Sequence, residues 1–370
     1  MLSVVPASGS SRLYFLLIVF LVYSNSQAQS KKDSVWIQTS DGCKVYNPHP
    51  VKNETITWTG KCVDGYARGE GTLTWFKSGN KNQEYTGHME RGNPHGYGKY
   101  DYTDGRTREG HYVRGDLTGI GRMIEKDKRN ILLYYYEGEF KDDQRDGEGL
   151  EVYYYPSDGD TSSVYKGNFS HGDRNGAGLV KEYDYNRLSV YKGIFYENRL
   201  EGEAEIWKYR KGKQVLYYKG HLLDWDKDGY GEEIIGLNKY AGQWKKNKKE
   251  GNGKLFTDTV LIYDGEWKND KFDGIGKRVF LDGSYYVGEF KKNERDGFGV
   301  LRWKDGIRYI GEFKKDLFTG DGYALKGKMI CSSGSWDRGA LVRTEDLRLV
   351  RKALEARYKD QFRQFLASQD

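Results

Sequence analysis

Residues 286–308 read Tyr286-Val-Gly-Glu-Phe-Lys-Lys-Asn-Glu-Arg-Asp-Gly-Phe-Gly-Val-Leu-Arg-Trp-Lys-Asp-Gly-Ile-Arg308, and this stretch decides the fold because the chain repeats it. Set on Gly288, its frame is an aromatic two residues before, an aromatic two after, and glycines nine and eleven residues on, Gly297 and Gly299. The same frame falls on Gly60, Gly87, Gly110, Gly138, Gly167, Gly193, Gly220, Gly242, Gly265 and Gly311, eleven copies with the reference, and a half copy follows at Gly334. Self-similarity at a short period marks a repeat architecture and outranks local readings.

Within the unit, Tyr286, Gly288 and Phe290 alternate with Val287 and Glu289, which in an extended chain sends the first three to one face. The polar run Lys291 to Asp296 reads as a connection, after which Gly297, Gly299, Leu301 and Trp303 resume the alternation on a second strand. Asp305-Gly306 reads as a two-residue hairpin tip supplying positive φ angles, and Asp282-Gly283 and Asp104-Gly105 stand at the same offset. Each copy is thus predicted to be two antiparallel strands. Reference glycines are spaced 22 to 29 residues apart, whereas the next glycine of the frame is nine residues on in every full copy. Extra length falls at the tips, as in Glu125 to Asn130 and Pro156 to Ser163, where insertion costs little. Glycine weakens strands, and its recurrence here reads as seating for aromatic rings that lie over bare backbone. The 48 Gly beside 31 Tyr, 15 Phe and 9 Trp suit that reading.

Tyr-x-Gly-x-Phe/Trp with Gly-x-Gly nine residues on, at a 23-residue period, resembles the MORN repeat. The copies cover residues 56–343, and the resemblance implies an all-β, elongated, single-layer twisted antiparallel sheet. About 23 strands would span on the order of 100 Å at about 4.8 Å each. It also implies a binding or scaffolding role, often near membranes, with no enzymatic activity and no cofactor. Departures from the frame are Arg108 and Ser332 at the first aromatic, Cys62, Met89 and Leu222 at the second, and Ala204 at the last glycine of the sixth copy.

Around the array, residues 13–23 form an apolar run after Arg12, and Ser26-Gln-Ala28 offers a small-residue cleavage site. Residues 1–28 therefore read as a signal peptide and the protein as exported, secreted or periplasmic; an uncleaved anchor is the alternative, although the run falls short of the about 20 residues that span hydrocarbon. Residues 29–55 read as a capping segment. Export favours a disulfide between Cys43 and Cys62 that staples this cap to the open end of the sheet, with two buried free thiols as the alternative and Cys331 left unpaired. At the other end, Thr344 reads as a helix cap, Glu345 and Asp346 as first-turn acids, and Leu347, Val350, Leu354, Tyr358, Phe362 and Phe365 as an apolar stripe at helical spacing. Residues 344–370 are thus predicted to hold one amphipathic helix, which covers the last strands or joins a partner helix as a homodimer.

The formal charge is +6, with 31 % charged residues, and nucleic acid is not indicated. Asp224-Trp-Asp-Lys-Asp-Gly229 opens like a calcium loop, but Ile235 stands where a bidentate Glu is needed. Six scattered histidines lack metal-ligand spacing, and no nucleophile elbow or phosphate loop is present. Two surfaces remain. The aromatics Tyr240, Trp244, Tyr263, Trp267, Tyr286, Phe290, Tyr309 and Phe313 are candidates for a protein partner. Lys245, Lys246, Lys248 and Lys249 are candidates for an anionic membrane surface or polysaccharide, on an edge where Lys268, Lys291 and Lys314 are offset by Glu250, Asp273 and Asp296. The protein partner is the first reading and the anionic surface the second.

Overall fold

The computed structural model describes residues 36–367; the proposed signal peptide lies outside them. From Tyr66–Lys77 to Ala340–Thr344, each strand pairs antiparallel with the one before it and the one after, in a single open sheet of 27 strands. The four strands beyond expectation have local causes. A short hairpin, Trp36–Gln38 with Lys44–Tyr46, precedes the array; the first copy's leading strand is broken into Glu54–Trp58 and Lys61–Val63; and Ala340–Thr344 turns the half copy into a twelfth hairpin.

The constant edge and the Asp-Gly tips both turn differently from what the sequence suggests, whereas other tips, such as Ser78-Gly79 and Lys211-Gly212, are two-residue turns. At the constant edge the strand Tyr285–Lys291 continues to Lys291 and the next, Glu294–Arg302, begins at Glu294, so the connection is only Lys292-Asn293. Both have positive φ, 53° and 78°, the two-residue hairpin geometry whose twist matches that of the strands. The same pair recurs in all twelve copies, from Asp64-Gly65 to Arg338-Gly339. The six-residue connection is therefore corrected to two residues, the remainder being strand and bulge. The tip at Asp305-Gly306 is correspondingly longer: strands end at Arg302 and restart at Ile307, only Gly306 has positive φ, and the Asp305 carboxylate accepts from the Ile307 N–H at 3.1 Å.

The glycine nine residues into each unit lies at a bulge. Register jumps between the Gly288–Gly299 pair and the Phe290–Arg295 pair, and Gly297 absorbs the excess at φ +115°. Its equivalents are positive in all eleven full copies, a conformation that only glycine adopts without cost. In five copies the N–H that follows the bulge is taken up by the side chain after the reference glycine, as where Glu289 accepts from Phe298 N at 3.0 Å and Gln243 from Asn252 N at 3.1 Å.

The other two glycines form one line across the sheet. Gly288 faces Gly299, which faces Gly311, which faces Gly322, and the line runs from Gly71 to Gly334 with Ala204 as its one interruption. Each tyrosine at the head of a repeat, Tyr191 excepted, lies over it. A Cβ on Gly299 would sit 2.3 Å from the Tyr286 hydroxyl oxygen, and that hydroxyl donates to the Glu289 carbonyl at 3.0 Å. The expectation that rings lie over bare backbone holds. Arg108 departs with a visible substitution, Phe140 moving in over Gly121.

Neighbouring copies are clipped at the constant edge. The N–H of the second turn residue bonds the carbonyl seven residues past the reference glycine of the preceding copy, as Asn247 N to Lys227 O at 3.0 Å. Where that residue is Asn or Asp, its side chain accepts from the same residue's N–H: Asn247 from Lys227 at 2.9 Å, Asp270 from Lys249 at 2.8 Å and Asn293 from Phe272 at 2.8 Å. Position 225 is the exception. A tryptophan holds φ 68° there, packing on Tyr191 and Phe195, and supplies no acceptor.

Both ends of the array are covered. Cys43 and Cys62 are joined in a disulfide with Cα atoms 5.7 Å apart, and Cys331 is free and exposed. The cap does more than close the open end, because Lys44 N and Tyr46 N bond the turn carbonyls of Gly65 and Gly92, anchoring it along the constant edge of the first two copies. At the far end the predicted single helix is two, α1 (Leu347–Arg357) and α2 (Lys359–Ala367), parted at Tyr358. The cap residue is Asp346, whose side chain accepts from Arg348 N at 2.7 Å, and not Thr344. The stripe Val350, Leu354, Phe362 and Phe365 is buried on Val287, Phe298, Val300, Ile310 and Tyr323, on the sheet face opposite the tyrosines. Tyr358 donates to Glu312 at 2.6 Å and Arg357 pairs with Glu312 and Asp321.

Candidate functional site

One face of the sheet is an aromatic ladder. In six copies the leading Tyr meets the following aromatic of its own copy and that of the next edge-on, as Tyr240 with Trp244 at 5.0 Å and Trp267 at 5.1 Å, and Tyr286 with Phe290 and Phe313 at 5.0 Å. This geometry suits aromatic quadrupoles. Tyr240, Trp244, Tyr263, Trp267, Tyr286, Phe290, Tyr309 and Phe313 are consequently only 0–5 % exposed. They build the ladder and do not themselves present the open surface that the sequence reading gave them. The glycine seats and the aromatics fill one another, which leaves a partner only what lies above.

Above the ladder lies a row of side chains seven residues past each reference glycine, often cationic. Lys249 stands over Tyr240 and Trp267 at 4.9 and 5.2 Å, Arg174 over Tyr165 at 4.8 Å, and Arg295 over Phe313 at 5.1 Å. Buried carboxylates compensate some of these cations. Glu151, 1 % exposed, is held between Arg145 and Arg174 and accepts from the Tyr134 and Tyr153 hydroxyls. Its burial works against ionisation, but the guanidiniums of Arg174 and Arg145 outweigh it and hold the carboxyl below its usual range. Lys227 pairs likewise with Glu233, its ammonium pushed down by burial against that partner's pull.

The lysine group divides. Lys245, Lys246 and Lys248 are exposed on the constant edge, whereas Lys249 turns inward over the rings. The acids that offset the lysine row also support the next copy's turn, Glu250 accepting from Asn269 N at 3.0 Å and Asp273 from Lys292 N at 3.1 Å. Asp224 to Gly229 spans such a turn and the strand after it, and the Asp226 carboxylate is bonded by Asn247.

The sequence reading missed a groove on the ladder face of the last copies. It encloses about 680 Å³ between hairpin tips and constant edge, walled by Phe280, Trp303 and Phe318 over Leu301. Leu281, 93 % exposed, and Leu317, 48 % exposed, stand on its rim. Arg278 and Arg295 lie within it. Phe280 and Trp303 come from the tips, where the repeat frame is silent, and Phe318 from the row seven residues past a reference glycine.

Comparison with known proteins agrees with this geometry. The family model "MORN repeat" matches residues 85–105, 136–155, 240–258, 263–285 and 286–308. Curated relatives include alsin of Homo sapiens, 27 % identical over 186 residues, and alsin of Rattus norvegicus, 26 % identical over 186 residues. The match covers 50 % of this chain and 9 % of either relative, so the chain spans about a tenth of the length of the curated proteins it resembles. MORN repeats are binding modules rather than catalytic ones. The five matched segments, set on the glycine line and the tyrosine ladder, show that this chain carries MORN repeats.

Proposed function

We propose that the chain is a non-enzymatic scaffold of an exported compartment that offers the ladder face of its last repeats to a protein partner. The observation that carries this is the groove between Phe280, Trp303 and Phe318, whose rim leaves Leu281 and Leu317 in water. Large aromatics around a concave apolar surface are what protein interfaces use as anchors. The opposite face at this end is already occupied by α1 and α2. Export is supported by the Cys43–Cys62 disulfide, since such bonds persist in oxidising compartments.

The second reading is an anionic lipid or polysaccharide surface on the constant edge, favoured by the exposed Lys245, Lys246 and Lys248. Each such lysine adds only about 1 kcal/mol at an anionic surface. Crosslinking in the native envelope, beside cosedimentation with anionic and neutral vesicles at two salt concentrations, separates the readings. The expected result is a discrete protein adduct and weak vesicle binding. Strong, salt-sensitive binding to anionic vesicles that disappears when Lys245, Lys246, Lys248 and Lys249 are neutralised would reverse the order.

A further inference from the structure

The charges lining the groove are not equivalent. Arg295 is committed to Asp316, its Nε at 2.9 Å from the carboxylate and its terminal nitrogen at 2.8 Å from the carbonyl. Asp282 is also engaged, accepting from Ser284 N at 3.0 Å and Ser284 Oγ at 2.6 Å. The Arg278 guanidinium differs. Among the described residues it has no hydrogen-bonding or ionic partner, only the rings of Phe280 at 5.0 Å and Phe272 at 5.9 Å. It is half-buried, in a groove whose apolar walls are Ile262, Val279, Leu301, Trp303 and Phe318 and whose other polar groups are the engaged Asp282–Ser284 and Arg295–Asp316 pairs.

A guanidinium stacked on aromatic rings keeps its planar donors directed outward, and a carboxylate matches that fork with two parallel hydrogen bonds. The low polarity of the walls strengthens such a pair and rejects an occupant without a counter-charge. From this charge complementarity we propose that the groove is a docking site for a short peptide segment of a partner protein, one that places an Asp or Glu carboxylate on Arg278 beside a large apolar side chain on Trp303 and Phe318. The rim argues for a peptide over a single acyl chain, since Leu281 and Leu317 stand outside the cavity and need a broader occupant to cover them. The proposal rests on the scaffold reading and specifies its partner's chemistry.

The test selects random heptapeptides displayed on phage against the immobilised full chain, then measures the synthetic winners by fluorescence anisotropy. Enriched sequences are expected to carry an acid next to Leu, Phe or Trp. Arg278→Gln should weaken a winner about tenfold, and replacing the peptide's acid by its amide should cost as much on the wild type but little on Arg278→Gln. Leu281→Asp, at a rim position where folding is indifferent to the change, should weaken binding with the Tm unchanged. Winners without acids, or equal affinity for a folded Arg278→Gln variant, would overturn the proposal. Binding of dodecanoate with no peptide enriched would do so too, by giving the groove to a lipid carboxylate. A partner crosslinked as above yet retained by both variants would remove the groove assignment and leave the scaffold standing; absence of any adduct, with acid-dependent peptide binding intact, would count against the scaffold alone.

Discussion

A methyl group at Gly299 would land within 2.5 Å of the Tyr286 ring and hydroxyl, so Gly299→Ala must either displace the ring or part the strands. Overpacking of this kind costs about 1–3 kcal/mol, and the urea midpoint of Gly299→Ala should fall accordingly. The chain contains its own control. At Ala204 the tyrosine has already left its seat, Tyr191 packing instead on Trp225 at 5.4 Å, so Ala204→Gly should move the midpoint far less. Glu151 is a second test. Its folded pKa is depressed, so its contribution is present above the unfolded carboxyl value of about 4.3 and is lost as pH falls through the folded value. Glu151→Gln should therefore destabilise by about 3 kcal/mol at neutral pH, two guanidiniums being left buried without their anion, and the difference from wild type should shrink in acid. The glycine seats were legible in the sequence because spacing alone locates them. The inward role of Lys249 and the aromatics' burial were not, because whether a ladder's rings face water depends on what stands on them, and that layer varies from copy to copy.

Among the elements, the constant-edge turn carries the most testable content. Asn247→Gly keeps the positive φ and the backbone bond to Lys227 O but removes the side chain that accepts from Lys227 N and donates to Asp226, at a cost of about 1 kcal/mol; Asn247→Ala adds about 1 kcal/mol more for a Cβ at φ 65°. Measured side by side in urea, the two separate the side-chain arm of the clip from the turn, and an indifferent Asn247→Gly would show that this arm contributes nothing. The C-terminal pair is attached differently, by apolar contact with the opposite face. Leu354 is fully buried there, and Leu354→Ala should cost about 2–5 kcal/mol locally. The readout is faster proteolytic removal of the segment after residue 344 while the strands of the first copies keep their resistance. The helical stripe was legible from its spacing, and the break at Tyr358 was not, since the apolar positions run through it without a glycine or proline. The turns hid for a related reason. Lys-Asn, Asp-Asp and Glu-Asn look like any polar loop in one copy, and only the recurrence of Asn, Asp or Gly at the second position across copies betrays the φ they must adopt.

For the whole molecule, pairing only between neighbours predicts an elongated particle. A compact chain of this length would have a radius of gyration of about 21 Å, and small-angle scattering should return a clearly larger value. Reducing the Cys43–Cys62 bond, which closes a 19-residue separation, should loosen the cap by about 3 kcal/mol and leave the far repeats untouched; alkylation of both thiols in material never exposed to reductant would contradict the staple. The repeat number and sheet type were legible because one unit propagates; the groove was not, because it needs Phe280 and Trp303 of two tips, where the copies differ, to face Phe318 at the other edge. The clips also have a direction. Each turn donates its N–H backward, to a carbonyl of the copy before it, as Asn293 does to Phe272 and Asp316 to Arg295. From the second copy on, a nascent chain emerging from the ribosome therefore has no need to wait: each turn, on leaving the exit tunnel, finds its acceptor already in place on a finished neighbour, whereas the cap, whose Lys44 and Tyr46 N–H groups donate forward, docks once the first two copies have formed. The sheet can be laid down in the order in which it is translated, with the two helices, which follow the strands, sealing Tyr285–Lys291 to Met329–Asp337 from the opposite face.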